Sequence, residues 1–282
     1  MYAIVNGVRL FFDVHGEKLV VDGPRMREKP TLLLLHGGPG FDHTMFKPDF
    51  AQLADVAQLI YLDHRGNGRS ERGDPALWTL DQWADDVRTF CDVLGIEKPV
   101  VLGYSFGGFV AQAYATRYQE HPAKLILYST APVMLDAPAL DAFEAIGGRE
   151  ARAVAAAYFA DPNPETRAAF RTTCFPLHNP TPDDPLTGLR QIVNNDVALH
   201  FFEGEVREMD FRPVLDRISC PTLILAGEKD PRTPPVLARM IADAISPKLV
   251  RFELLRDCGH GPHKDQPARV LEMLREFVLA PA

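Results

Sequence analysis

Short apolar, β-rich runs alternate with amphipathic stretches along most of the chain. Residues 8–14, 31–35, 58–62, 100–103, 125–128, 222–226 and 249–254 read as strands, and several are continuously apolar. A strand without a polar face is buried on both sides, which is how parallel strands sit in a sheet covered by helices. Residues 79–94 open with the capping box Thr79-x-x-Gln82 and repeat Leu80, Trp83, Ala84, Val87, Cys91 and Leu94 at helical spacing. Gly95 then closes that helix as a left-handed cap. Further helices are expected after Ser105, over about 234–245 and over about 267–278. The pattern predicts an α/β fold with a mostly parallel central sheet flanked by helices.

The alternation breaks between residues 133 and 211, where Pro and Asp become frequent and no clear apolar strand occurs. This stretch reads as a mainly helical cap, or lid, inserted after one strand of a core built from 1–132 and 212–282. It holds thirteen Asp or Glu against six Arg and no Lys, which accounts for nearly all of the formal net charge of −8.

At 282 residues the chain is long enough for one core with a sizeable insertion, and 46% hydrophobic with 24% charged residues is ordinary for a globular enzyme. A negative balance with no basic patch argues against a nucleic-acid partner. The start lacks the charged segment and apolar run of a signal peptide, and no run approaches the length that spans a bilayer, so no membrane partner and a cytoplasmic location are expected. Cys91, Cys174, Cys220 and Cys258 are scattered without a C-x-x-C pair and read as buried thiols.

Candidate chemistry concentrates at 100–108, where VVLGYSFGG carries a buried strand through G-x-S-x-G into a helix. In that context the motif is a nucleophile elbow, with Ser105 on a sharp turn that Gly103 and Gly107 permit. This points to the α/β-hydrolase fold. The N–H of Phe106, at the start of the helix, would serve as an oxyanion donor. A second donor, from Gly37 or Gly38, is expected in His36-Gly37-Gly38-Pro39-Gly40, the loop after an earlier strand. His36 is read as pinning this loop rather than as a second base. The acid and the base must follow the nucleophile in that order. Asp230, after the strand at 222–226, and His260, between Gly259 and Gly261, satisfy the rule. Glu228, Asp257 and His263 are their rivals. His260 would take the hydroxyl proton of Ser105 while Asp230 holds the imidazole. This scheme needs no cofactor or metal ion.

HGGPG at 36–40 and the string DHRGNGRS at 63–70 resemble the proline iminopeptidase (prolyl aminopeptidase) branch of the α/β-hydrolases. The resemblance covers most of the chain outside the lid. It departs at His64, where the family usually has Gln, and at Phe106, where many members carry Trp. It implies release of an N-terminal residue, often proline, from a small-molecule or short-peptide substrate whose amine is gripped by lid carboxylates. Glu203 and Glu205 are the expected amine ligands, with Tyr104 bordering the pocket. The alternatives are a cofactor-free esterase, lactonase or carbon–carbon bond hydrolase with the same triad, and a non-catalytic receptor. Dehalogenase and epoxide hydrolase chemistry is disfavoured, because those relatives need a carboxylate where this chain has Ser105.

Overall fold

The structure, a computed structural model, describes residues 1–281. Its strands are β1 (Tyr2–Val5), β2 (Val8–His15), β3 (Leu19–Asp22), β4 (Arg25–Glu28), β5 (Thr31–Leu35), β6 (Gln58–Leu62), β7 (Val100–Tyr104), β8 (Lys124–Tyr128), β9 (Thr222–Gly227) and β10 (Val250–Leu255). Eight form one sheet in the order β1-β2-β6-β5-β7-β8-β9-β10, while β3 and β4 pair as a separate hairpin. The β1–β2 and β2–β6 pairs are antiparallel, and every pair from β6 to β10 is parallel. The α-helices are α1 (Leu80–Leu94), α2 (Phe106–Arg117), α3 (Asp136–Ala160), α4 (Pro164–Thr173), α5 (Pro185–Arg190), α6 (Asn195–Glu203), α7 (Pro235–Ala244), α8 (Pro262–Asp265) and α9 (Pro267–Leu279).

Every residue of β5, β7, β8 and β9 is buried. Successive side chains point to opposite faces, so these strands feed two cores at once. Leu33, Leu35, Val101 and Leu127 join one core with residues of α1, α2 and α7. Leu32, Leu34, Leu102 and Ile126 join the other, closed by Val270, Leu274 and Phe277 of α9. Two features depart from the sequence pattern. β1 is short and half exposed, and the β3–β4 hairpin is almost wholly exposed, so neither carries the apolar run that marks a central strand. The capping box of α1 is only half made: Thr79 accepts the Gln82 N–H, but the Gln82 side chain turns to Asp86 at 2.9 Å. Gly95 is left-handed at φ 66°, as its position requires. All four cysteines are buried and unpaired.

Helices α3 to α6 lie between β8 and β9. The two ends of this segment meet, through a bridge between Val133 and Asp210 and a bond of 2.8 Å from the Phe211 N–H to the Pro132 carbonyl. It has a small core of its own around Phe143, Tyr158 and Phe170. Helix α6 also sends Val197 and Phe201 into the main core, where the Phe201 ring lies 5.2 Å from that of Phe106. Among the described residues, no helix is long and apolar enough to cross a membrane.

The DHRGNGRS string is a structural brace. Asp63 accepts from the His43 ring at 2.6 Å and from the Arg69 N–H at 2.9 Å. Asn67 accepts the Gly40 N–H at 2.7 Å and so ties the string to the HGGPG loop. Arg65 grips Asp86 through two bonds of 2.7 Å, with both side chains buried. Removing one partner of a buried pair strands the other charge. Arg65→Ala is therefore expected to lower the unfolding free energy by about 3–5 kcal/mol, measured as the shift in a urea unfolding curve.

Candidate active site

β7 ends at Tyr104 and α2 begins at Phe106, so Ser105 makes the whole turn between them. Its φ of 54° and ψ of −114° lie outside the regions a side chain ordinarily adopts. Such a conformation costs on the order of 1–3 kcal/mol and persists only where its surroundings enforce it. Here the Ser105 N–H is held by the Tyr128 carbonyl at 2.9 Å. Its own carbonyl accepts from the Gly108 N–H at 2.8 Å and from the Thr130 hydroxyl at 2.9 Å. The turn also needs bare backbone on both sides. A Cβ on Gly103 would overlap the Gly107 carbonyl, and one on Gly107 would overlap the Leu35 carbonyl of β5.

Asp230 follows the end of β9, and His260 follows the end of β10, the parallel neighbour of β9. The structure brings both to Ser105. One oxygen of Asp230 accepts the Arg232 and Thr233 N–H groups at 2.8 and 2.9 Å. The other accepts the Thr233 hydroxyl at 2.8 Å and lies 2.8 Å from His260 Nδ1. His260 Nε2 lies 3.0 Å from Ser105 Oγ. A carboxylate facing Nδ1 assigns the proton to that nitrogen and leaves Nε2 as the acceptor that faces the hydroxyl. Asp230 is 1% exposed and His260 6%, so both ends of this relay are shielded from water. The rivals are engaged elsewhere. His263 bonds the Tyr128 hydroxyl at 2.9 Å, and burial lowers its pKa to about 3. Asp257 pairs with Lys229 at the surface, and Glu228 accepts the Asp257 N–H.

Gly37, Gly38, Tyr104, Ser105 and His260 line one cavity of about 350 Å³. The Gly37 N–H donates to Met45 Sδ, a weak acceptor, at 3.1 Å. Gly38, with φ 130°, retains a main-chain N–H for which no acceptor is found among the described residues. The Phe106 N–H opens α2, where helix N–H groups are free to bind an anion. His36 has both ring nitrogens engaged: Nδ1 donates to the Gly37 carbonyl at 2.8 Å, and Nε2 accepts the His64 N–H at 3.2 Å. It pins the loop, and burial lowers its pKa.

Three contributors went unrecognised in the sequence. Thr233 holds Asp230 from three residues ahead, and the spacing Asp230-x-x-Thr233 was a local signal for it. The other two come from the loop after α4. The His178 carbonyl accepts the His260 N–H at 2.6 Å, and the Asn179 side chain bonds the Gly261 carbonyl and N–H at 3.0 and 3.1 Å. Those contacts cross some eighty residues, so nothing local announces them. Among the described residues, no group of three or more His, Cys, Asp or Glu is arranged to hold a metal ion.

The expected amine ligands are elsewhere. Glu203 is exposed, and neither it nor Glu205 lines the cavity. Glu205 accepts the Leu80 N–H through both oxygens, at 2.8 and 3.0 Å, and thereby caps α1. A carboxylate beside a helix N-terminus satisfies orphan donors, and this one is drawn out of solvent to do so. Burial raises its pKa from 4.5 to about 7.

Two outcomes follow from these contacts. Thr233→Val removes a hydroxyl from Asp230 while keeping the shape, and is expected to reduce turnover about tenfold, on the order of one hydrogen bond to a charged group; steady-state kinetics should show the loss in kcat rather than KM. For Glu205, the folded protein holds the proton more tightly than the unfolded chain between pH 4.5 and about 7, so stability falls as pH rises through that window. Glu205→Gln keeps an acceptor for Leu80 and has no proton to lose. Thermal melts should show its advantage over the natural protein growing from pH 5 to pH 7.5.

The alpha/beta hydrolase fold family matches residues 30–267. The proline iminopeptidase PfmaB of Pestalotiopsis fici is 29% identical over 289 aligned positions, which cover 95% of this chain and 98% of that protein. The proline iminopeptidase of Lactobacillus crispatus is 28% identical over 278 positions, covering 90% and 92%. The crystal structure of the proline iminopeptidase of Mycobacterium smegmatis has the same fold, with a TM-score of 0.78 at 21% identity over 99% of this chain and 97% of that one. A family match over residues 30–267, which hold β5 to β10, the elbow and the helical insertion, makes this chain a member of the α/β-hydrolase fold family.

Proposed function

We propose that the protein is a serine hydrolase that works through an acyl-enzyme on Ser105. The observation that carries this reading is the continuous line of contacts from Asp230 to His260 Nδ1 and from Nε2 to Ser105 Oγ, 2.8 and 3.0 Å long, opening into a cavity. His260 takes the hydroxyl proton as Oγ attacks a carbonyl carbon, then returns it to the leaving group. Asp230 stabilises the imidazolium, and the Phe106 and Gly38 N–H groups receive the developing oxyanion. Water then attacks the acyl-enzyme by the same route and frees Ser105. Residues 133–211 act as the lid of this cavity, a reading supported by Tyr158, Arg167 and Phe170 in its wall.

For the substrate, the name shared by the relatives and the HGGPG loop support release of an N-terminal residue from a short peptide or amide. The charges inside the cavity support a second reading, an esterase, lactonase or carbon–carbon bond hydrolase. The carboxylates that reach the cavity, Asp183 and Asp184, already pair with Lys264 and Arg190, which leaves neither free for an amine.

Ser105→Ala is expected to lower turnover by on the order of 10⁴- to 10⁶-fold and to abolish labelling by a fluorophosphonate probe; near-normal rates in that variant would end the proposal. A prolyl or alanyl arylamide compared with its N-acetylated form separates the substrate readings. The peptidase reading expects the blocked amine to slow cleavage strongly, and equal rates exclude it.

A further inference from the structure

The charge of the helical insertion and the charge of the cavity have opposite signs. Arg167, Arg171 and Arg232 all line the cavity that holds Ser105, and none has a carboxylate within ion-pair distance among the described residues. Each is held instead by neutral groups. Arg167, 5% exposed, bonds the Asn195 side chain at 2.9 Å and the Tyr158 hydroxyl at 3.1 Å, while its Nη2 is buried without any partner. Arg232 lies over the rings of Phe159 and Phe202 at 4.9 and 5.3 Å. Arg171 lies over Phe41 and Phe175 at 5.8 and 5.9 Å. A ring face attracts a guanidinium without accepting its N–H bonds as a carboxylate would, so these N–H groups stay available to an acceptor.

Guanidinium groups stay charged in proteins, so this wall carries about three positive charges at neutral pH. Partial burial opposes the charge on Arg232 and on Arg171, which is exposed at the cavity mouth; Arg167 adds like-charge repulsion to Arg171, while Asp136 and Asp230, beyond ion-pair distance, favour the charge on Arg232. A charge drawn partly out of water without a partner is costly, and Arg171 and the half-buried Arg232 reach the cavity with no hydrogen-bond acceptor for their side chains among the described residues. The anion that fits is planar, accepts two N–H bonds at once and is small enough to share about 350 Å³ with an acyl group, which describes a carboxylate.

We infer that Arg167, Arg171 and Arg232 form a carboxylate-recognition site, so that the preferred substrate carries a free carboxylate as well as the carbonyl that Ser105 attacks. This rests on the serine hydrolase reading above. It holds for either substrate class, because a short peptide bears a carboxylate at its far end, and an ester or lactone can bear one on either side of the bond cut.

The test compares matched esters on the full chain, each corrected for its spontaneous rate. On the acyl side the pair is p-nitrophenyl hydrogen glutarate against p-nitrophenyl valerate. On the leaving-group side it is 4-acetoxybenzoate against its methyl ester. The carboxylate member of at least one pair is expected to have the higher kcat/KM by about 10- to 100-fold, the range of a charge-assisted hydrogen bond or two, and the responding pair shows which side of the bond faces the arginines. Arg232→Gln should bring that ratio toward one, and Arg232→Lys should keep part of it; a ratio read on a single preparation does not depend on how much of the variant folds. Titrating the Ser105→Ala variant with the same four esters reads recognition without turnover, and the carboxylate member should again bind more tightly. Ratios near one in both experiments, with neutral esters still turned over, would overturn the carboxylate site and leave the hydrolase intact. No turnover and no fluorophosphonate labelling, with tighter carboxylate binding preserved, would keep the site and remove the hydrolase.

Discussion

The close approach of three backbones at the top of the sheet governs the rest of the structure. β5, β7 and the first turn of α2 meet where Gly103 and Gly107 have no side chains, and Ser105 takes up the strain of the turn between them. If either glycine gained a Cβ, α2 would move away from β5 and the serine would relax into an ordinary conformation. Its hydroxyl would then no longer stand 3.0 Å from His260. The two cores, the bonds from Tyr128 and Thr130, and the parallel register that sets Leu35 beside Gly103 all serve to keep that junction closed.

The same economy of backbone contact extends to the loops around it. HGGPG is a mobile composition, yet His36 bridges it to the His64 N–H and Asn67 holds Gly40, so its donors have one arrangement. The histidine loop after β10 is steadied from the helical insertion, through His178 and Asn179. The insertion therefore does more than line the cavity, since it also holds the loop that carries the imidazole. Glu205 ties the insertion to α1 on its other flank.

Charge counted along the chain and charge counted in space give different answers. The insertion is strongly acidic in sequence, which fits the amine-gripping carboxylates that the family resemblance implied. In the folded molecule, acids such as Asp141, Asp184 and Asp210 pair with arginines at the surface, while Arg167 is buried and Arg171, though exposed, lies over aromatic neighbours at the cavity. An arginine can cross an apolar wall with its stem and stack its head on a ring, which a short carboxylate cannot do. The polarity of a pocket therefore follows from which side chains can tolerate its walls.

Elements whose signal lies within one stretch of chain were legible in the sequence. The buried strands announce themselves by unbroken apolar runs, α1 by its cap residues and helical spacing, and the elbow by glycines that sterics demand at two fixed positions. Ser105, Asp230 and His260 could be selected because the order of strands fixes which loops reach one edge of the sheet. The exposed β3–β4 hairpin escaped, because main-chain pairing alone leaves no apolar pattern. The partners of Glu205, His178 and the three arginines escaped for a different reason. Each is decided by contacts between segments far apart in the chain, and local sequence constrains the conformation of a segment while saying little about which distant surface it will face.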